Sequence, residues 1–124
     1  MTTQKTAKPV VANREQQQKN QSLTRTQILA TLNHHAAEIK ARFHVQRLGL
    51  FGSYVRDEAR PGSDVDILVE FVSPTFDAYM NLKFFLEELL CKNVDLVMVD
   101  SLKPRIKSTI MDEVQYAQGL QAVP

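Results

Sequence analysis

The sequence predicts an α/β domain of the α+β kind, a small mixed sheet of about three to four strands with helices packed on it, in the order αβαβαβα. Three observations lead there. Stretches with apolar residues every three or four positions alternate with short β-favouring runs. The segments joining those runs are helical in character, as parallel or mixed strand pairing requires. The chain has 124 residues of which 44% are apolar, enough for one core with little room for a second.

Residues 1–22 carry Gln4, Gln16, Gln17, Gln18, Asn20 and Gln21 with few large apolar side chains, too little to offset the entropy of ordering. They are expected to form a flexible, weakly basic tail ahead of a domain spanning 23–124. Thr24, with Gln27 three residues on, fits a capping box, and Ile28, Leu32, Ala36, Ile39 and Phe43 then line one face of a helix to about Phe43. Val45 to Phe51 is a β-favouring run halted at Gly52-Ser53, followed by a short helix to about Arg60 and a turn at Pro61-Gly62. Residues 65–71 form the second strand, ended by Pro74. From Thr75, residues Phe76 to Leu90 have helical length and a wide apolar face, and residues 94–99 give the third strand. A last helix begins after Asp100-Ser101, with Leu102, Ile106, Ile110 and Val114 one turn apart and Gly119 as its C-terminal cap.

Composition excludes several functions. Fifteen Lys and Arg against fourteen Asp and Glu give a net charge of +1, without the broad positive field that gathers nucleic acid. Template-directed polymerisation is therefore disfavoured, and nucleic acid is not expected as a direct substrate. No stretch approaches the roughly 20 apolar residues needed to cross a bilayer, since Lys83, Glu87 and Glu88 interrupt the most hydrophobic segment. The single Cys91 makes no internal disulfide, and with no apolar run near the start to act as a secretory signal the expected compartment is the cytoplasm. His34, His35 and His44 are not spaced i,i+4, so zinc is not expected.

Chemistry concentrates in Gly52-Ser53, ten intervening residues, then Asp64-Val65-Asp66. Side chains two apart on a strand point the same way, so Asp64 and Asp66 would present two carboxylates together if the strand begins at Asp64. Asp95, in the third strand, adds another. Converging ionised carboxylates repel one another, and a divalent cation among them removes the penalty. An all-oxygen donor set favours Mg2+ or Mn2+, which keep few protein carboxylates and share their shell with substrate phosphates. Glycine between strand and helix lets backbone approach a ligand, N–H groups at a helix start attract anions, and Ser53 adds a hydroxyl. Arg56, one turn on, offers a planar fork of donors to a phosphate, although pairing with Asp57, Glu58 or another exposed carboxylate is an equal alternative. Each piece alone has an ordinary explanation as turn, cap or solvent-facing edge residue. Together, phosphate cradle and metal acids suit transfer of a nucleotidyl group.

Gly52-Ser53-x10-Asp64-x-Asp66, with Asp95 in a later strand, resembles the signature of the polymerase-β-type nucleotidyltransferase superfamily. Over residues 24–117 the likeness is closest to the minimal nucleotidyltransferases, often antitoxins paired with a HEPN-domain toxin. The resemblance implies that Gly52 and Ser53 bind the β- and γ-phosphates of ATP, and that Asp64, Asp66 and Asp95 hold Mg2+, two ions being expected. It implies that AMP passes from ATP to a hydroxyl, tyrosine, of a HEPN-type ribonuclease toxin, silencing it within a hetero-oligomer. Two positions depart from the commonest pattern, which has a small residue before the arginine and a glycine after it; here they are Val55 and Asp57. Alternatives are an antitoxin acting by binding alone, or an enzyme modifying a small molecule. The latter is disfavoured because one helix after Val99 leaves no second domain to enclose a small acceptor.

Overall fold

A computed structural model describes residues 23–120, and the expectations for residues 1–22 and the last four positions lie outside the described residues. The chain runs through α1 (Arg25–His34), α2 (Ala36–Phe43), β1 (Val45–Phe51), a 3-10 turn (Gly52–Tyr54) and β2 (Val65–Phe71). It continues through α3 (Phe76–Leu90), β3 (Val94–Met98), a second 3-10 turn (Val99–Ser101), α4 (Pro104–Glu113) and β4 (Gln115–Tyr116). The four strands form one mixed sheet in the order β3-β2-β1-β4. β1 is antiparallel to both β2 and β4, and α3 carries the chain across to set β3 parallel to β2.

The capping box forms as expected: the Gln27 N–H donates to Thr24 Oγ1 at 3.1 Å, and the Thr24 N–H to Gln27 Oε1 at 2.9 Å. The single helix expected as far as Phe43 is instead two. It breaks at His35 (φ −103°, ψ 11°), whose ring Nδ1 sits 3.0 Å from the Thr31 carbonyl that its backbone N–H also contacts. The apolar face runs on across the break, because Ile28, Leu32, Ala36, Ile39 and Phe43 are all buried.

That face packs, with Leu82, Leu86 and Leu90 of α3, on Leu48, Leu50, Val65, Ile67 and Val69 of the sheet. Each such side chain contributes about 1.5–3 kcal/mol by leaving water, so this layer holds the domain together. The opposite sheet face is thinly covered: Phe51, Leu68, Val99 and Ile110 form a small cluster beneath α4. Asp66 shares this second face with Leu68 and is only partly buried.

Two further expectations are corrected. The helix after Gly52-Ser53 reduces to one 3-10 turn followed by turns, closed by the Glu58 N–H on the Ser53 carbonyl at 2.8 Å. Nor does the last helix reach Gly119. α4 ends at Glu113, Val114 turns extended (ψ 138°), and β4 pairs Gly49 with Tyr116 and Leu50 with Gln115. The periodic stripe misled because Ile106 faces water while Ile110 alone in the helix is buried. β4 completes a sheet edge by satisfying β1 backbone groups, a demand invisible in a two-residue segment.

Candidate active site

Gly52 leaves β1 with φ +81°, a left-handed conformation that favours glycine. Space demands glycine as well: a Cβ here would collide with the Asp66 carboxylate and lie 2.9 Å from its Cγ. The Gly-Ser pair thus allows the turn to lie directly against the middle acid.

Asp66 opposes Phe51 in the antiparallel ladder and Asp95 in the parallel one. Cα partners on adjacent strands point the same way, so Asp66 and Asp95 stand side by side, with Asp64 two residues upstream. The start of β3 is pinned by Glu87, whose Oε2 accepts the Val94 N–H at 3.0 Å and Lys83 Nζ at 2.8 Å. The Tyr79 hydroxyl donates to the Leu96 carbonyl at 2.6 Å, tying α3 to the same strand. Asp95 is exposed; its place comes from register with Asp66 rather than from enclosure.

Half-burial, then the charges of Asp95 and Asp64, push the Asp66 carboxyl up to about 6, against weaker lowering by the Ser53 backbone N–H and Arg56. A carboxyl in that range is mostly ionised at neutral pH, and a cation beside it would offset the penalty. Among the described residues no three acidic, histidine or cysteine side chains close around an ion unaided. An open set of hard oxygen donors fits Mg2+, which takes one or two carboxylates and completes its shell with water and phosphate.

The phosphate side differs from expectation. The Gly52 N–H donates to Glu113 Oε2 at 2.7 Å, and the Ser53 N–H is engaged by Asp66, so the turn is not a free anion-binding helix start. Arg56 donates from Nε to Glu58 at 2.9 Å and from Nη1 to Glu113 at 3.1 Å. Pairing with carboxylates, the alternative to a phosphate contact, is thus present. Ser53 is half-buried and near Asp66, and its hydroxyl makes no side-chain bond among the described residues. Beside Asp64, an open cleft of about 420 Å³ is lined by Pro61, Ser63, Glu87, Lys92 and Asn93.

Asp57 adopts φ +60°, so the glycine of the commoner pattern answers a left-handed turn that Asp tolerates at some cost. Asp57→Gly is expected to stabilise the fold by about 0.5–1 kcal/mol, read as a higher urea midpoint at unchanged slope. The lost partner is an exposed ion pair with Arg25 at 3.8 Å, worth little.

Comparison with known proteins gives the family of the chain. The family described as nucleotidyltransferase domain matches residues 32–117. The chain is also 47% identical over 95 residues to the protein adenylyltransferase MntA of Thermococcus cleftensis, spanning 76% of this chain and 96% of the relative. The chain belongs to the nucleotidyltransferase family. A solved structure described as a minimal nucleotidyltransferase superposes on this nucleotidyltransferase with a TM-score of 0.61 at 36% identity, covering 70% of this chain and 93% of the other. The complex of a tri-AMPylated Shewanella oneidensis HEPN toxin with an MNT antitoxin gives a TM-score of 0.54 at 20% identity, over 77% of this chain and 73% of the other, which shows a shared fold.

Sequence reasoning missed Glu113. The signal was available: an acid in the last turn of a helix opposes the negative end of the macrodipole and calls for a cationic partner.

Proposed function

We propose that this nucleotidyltransferase is an antitoxin that transfers AMP from ATP to a tyrosine hydroxyl of a cognate HEPN-type ribonuclease toxin and neutralises it within a hetero-oligomer. The observation that carries the reading is Asp66 in register with Asp95, against a glycine turn that only glycine fits. The protein substrate is supported by the adenylyltransferase relative, and the partner class by the complex that shares the fold.

Asp64, Asp66 and Asp95 would hold Mg2+, two ions. When bound, Mg2+ offsets the repulsion among the acids, draws charge from the triphosphate and lowers the pKa of the acceptor hydroxyl. Ser53 Oγ and the guanidinium of Arg56 hold the β- and γ-phosphates, so that the α-phosphorus lies over the acid pair. The acceptor oxygen forms a bond to that phosphorus as the bond to the β-phosphate oxygen breaks. AMP joins the acceptor, pyrophosphate leaves, and the hydroxyl proton passes to solvent through the carboxylates.

Intact mass of the co-expressed toxin tests the reading. With the wild-type chain, a gain in multiples of one AMP is expected; with Asp64→Ala/Asp66→Ala, no gain and a return of ribonuclease activity. Neutralisation without any mass gain would mean inhibition by binding alone and would overturn the proposal.

A further inference from the structure

Glu113 stands where helix electrostatics disfavours it, in a last turn of α4 that has no basic residue. Its side chain is nonetheless only 18% exposed, against 47% for Arg56. The carboxylate is held by two groups of the site: Oε2 accepts the Gly52 N–H at 2.7 Å, and both oxygens accept Arg56 Nη1 at 3.1 and 3.2 Å. A single side chain therefore joins α4 to the glycine turn and to the arginine that faces the triphosphate. Glu58 fixes the same guanidinium through Nε at 2.9 Å.

We propose that Glu113 is a positioning residue for the triphosphate, a brace that orients Arg56 and pins the Gly52 turn while leaving the outer edge of the guanidinium to receive phosphate oxygens. The inference deepens the reading of the site as one that uses ATP and rests on it. Among the described residues, the Arg56 bonds engage Nε and Nη1, so Nη2 keeps its donors for an incoming anion. The opposite arrangement, in which Glu113 occupies a place meant for phosphate and competes with ATP, sits poorly with burial. Gly52 is buried, so a phosphate could take its N–H only if α4 withdrew. A long side chain fixed at two points also loses less freedom when it meets its ligand, the usual gain from preorganisation.

Calorimetric binding of a non-hydrolysable ATP analogue with Mg2+ tests the brace in wild type, Glu113→Gln, Glu113→Ala, Arg56→Ala and the double variant. Glu113→Ala is expected to weaken binding about tenfold. Glu113→Gln is near-isosteric and keeps an acceptor for the Gly52 N–H, so it should fold and fall between wild type and Ala. The double variant Glu113→Gln/Arg56→Ala should bind no more weakly than Arg56→Ala alone, because Gln keeps the acceptor for the Gly52 N–H and the rest of the brace acts through that arginine. In a transfer assay the loss should appear in KM for ATP, with kcat within about twofold of wild type. Unchanged or tighter binding in both Glu113 variants, or losses that add in the double variant, would overturn the inference. Weaker binding by Glu113→Ala in a protein that modifies no HEPN-type toxin would leave the brace standing and sink the antitoxin reading. A wild-type chain that does not bind the analogue would sink both.

Discussion

Replacing Asp66 by Asn is expected to cut AMP transfer by about 10³-fold or more while making the metal-free protein more stable at pH 7. The two effects have one origin. In the folded chain the Asp66 carboxyl is pushed from 3.8 up to about 6, by burial first and by Asp95 and Asp64 next. A raised carboxyl pKa means that ionisation is penalised in the folded state alone. The penalty is absent below about pH 4, grows as pH rises through 6, and is complete above it. The full displacement is equivalent to about 3 kcal/mol, reduced to about 1–2 kcal/mol by solvent reaching a half-buried group. Metal-free wild type should therefore lose stability between about pH 4 and 6, and the Asn variant should not follow it. Mg2+ should restore wild-type stability at pH 7 to 8 and do little near pH 5, where protons hold the site. Thermal melts across that range, with and without Mg2+, read both.

The second large effect concerns Gly52→Ala. Two costs add: a left-handed φ of +81°, about 1–2 kcal/mol for a residue with a Cβ, and collision with the Asp66 carboxylate. The turn cannot shift to relieve it without breaking the Gly52 bond to Glu113. A total loss of about 2–4 kcal/mol is expected, together with a fall in transfer of about 10²-fold as Asp66 is displaced. In an Asp66→Ala background the collision with the carboxylate disappears and only a tight contact with the remaining Cβ, at 3.0 Å, is left, so the same substitution should cost markedly less. Denaturant unfolding of the four proteins in this cycle measures the difference. Equal costs in both backgrounds would show that the glycine serves backbone conformation alone.

Most of the fold was legible because its elements carry period. The 65–71 strand appears as Val65–Phe71, and Thr75 caps α3 with its hydroxyl accepting the Ala78 N–H at 3.0 Å. What periodicity does not encode is where backbone pairing outcompetes a helix. The 3-10 turn after Gly52 and the short β4 answer hydrogen-bond demands from residues distant in sequence, whereas the break at His35 is held by local contacts with Thr31. Likewise the acids proposed for the site stand out in the sequence by type and spacing, although β2 begins at Val65 and Asp64 lies just ahead of it. The register that sets Asp95 beside Asp66 is long-range and emerges only with the parallel pairing of β2 and β3. Glu113 lies 61 positions from Gly52, and only a folded chain brings them to 2.7 Å.

Asp64, Asp66 and Asp95 are proposed to act as one cation site next to the triphosphate of ATP. Electron paramagnetic resonance of Mn2+ titrated into the protein with a non-hydrolysable ATP analogue measures this directly. Two ions per chain are expected for wild type, with the signal of protein-bound Mn2+ lost in Asp64→Asn/Asp66→Asn and weakened in Asp95→Asn. Full Mn2+ occupancy persisting in the double variant would contradict it.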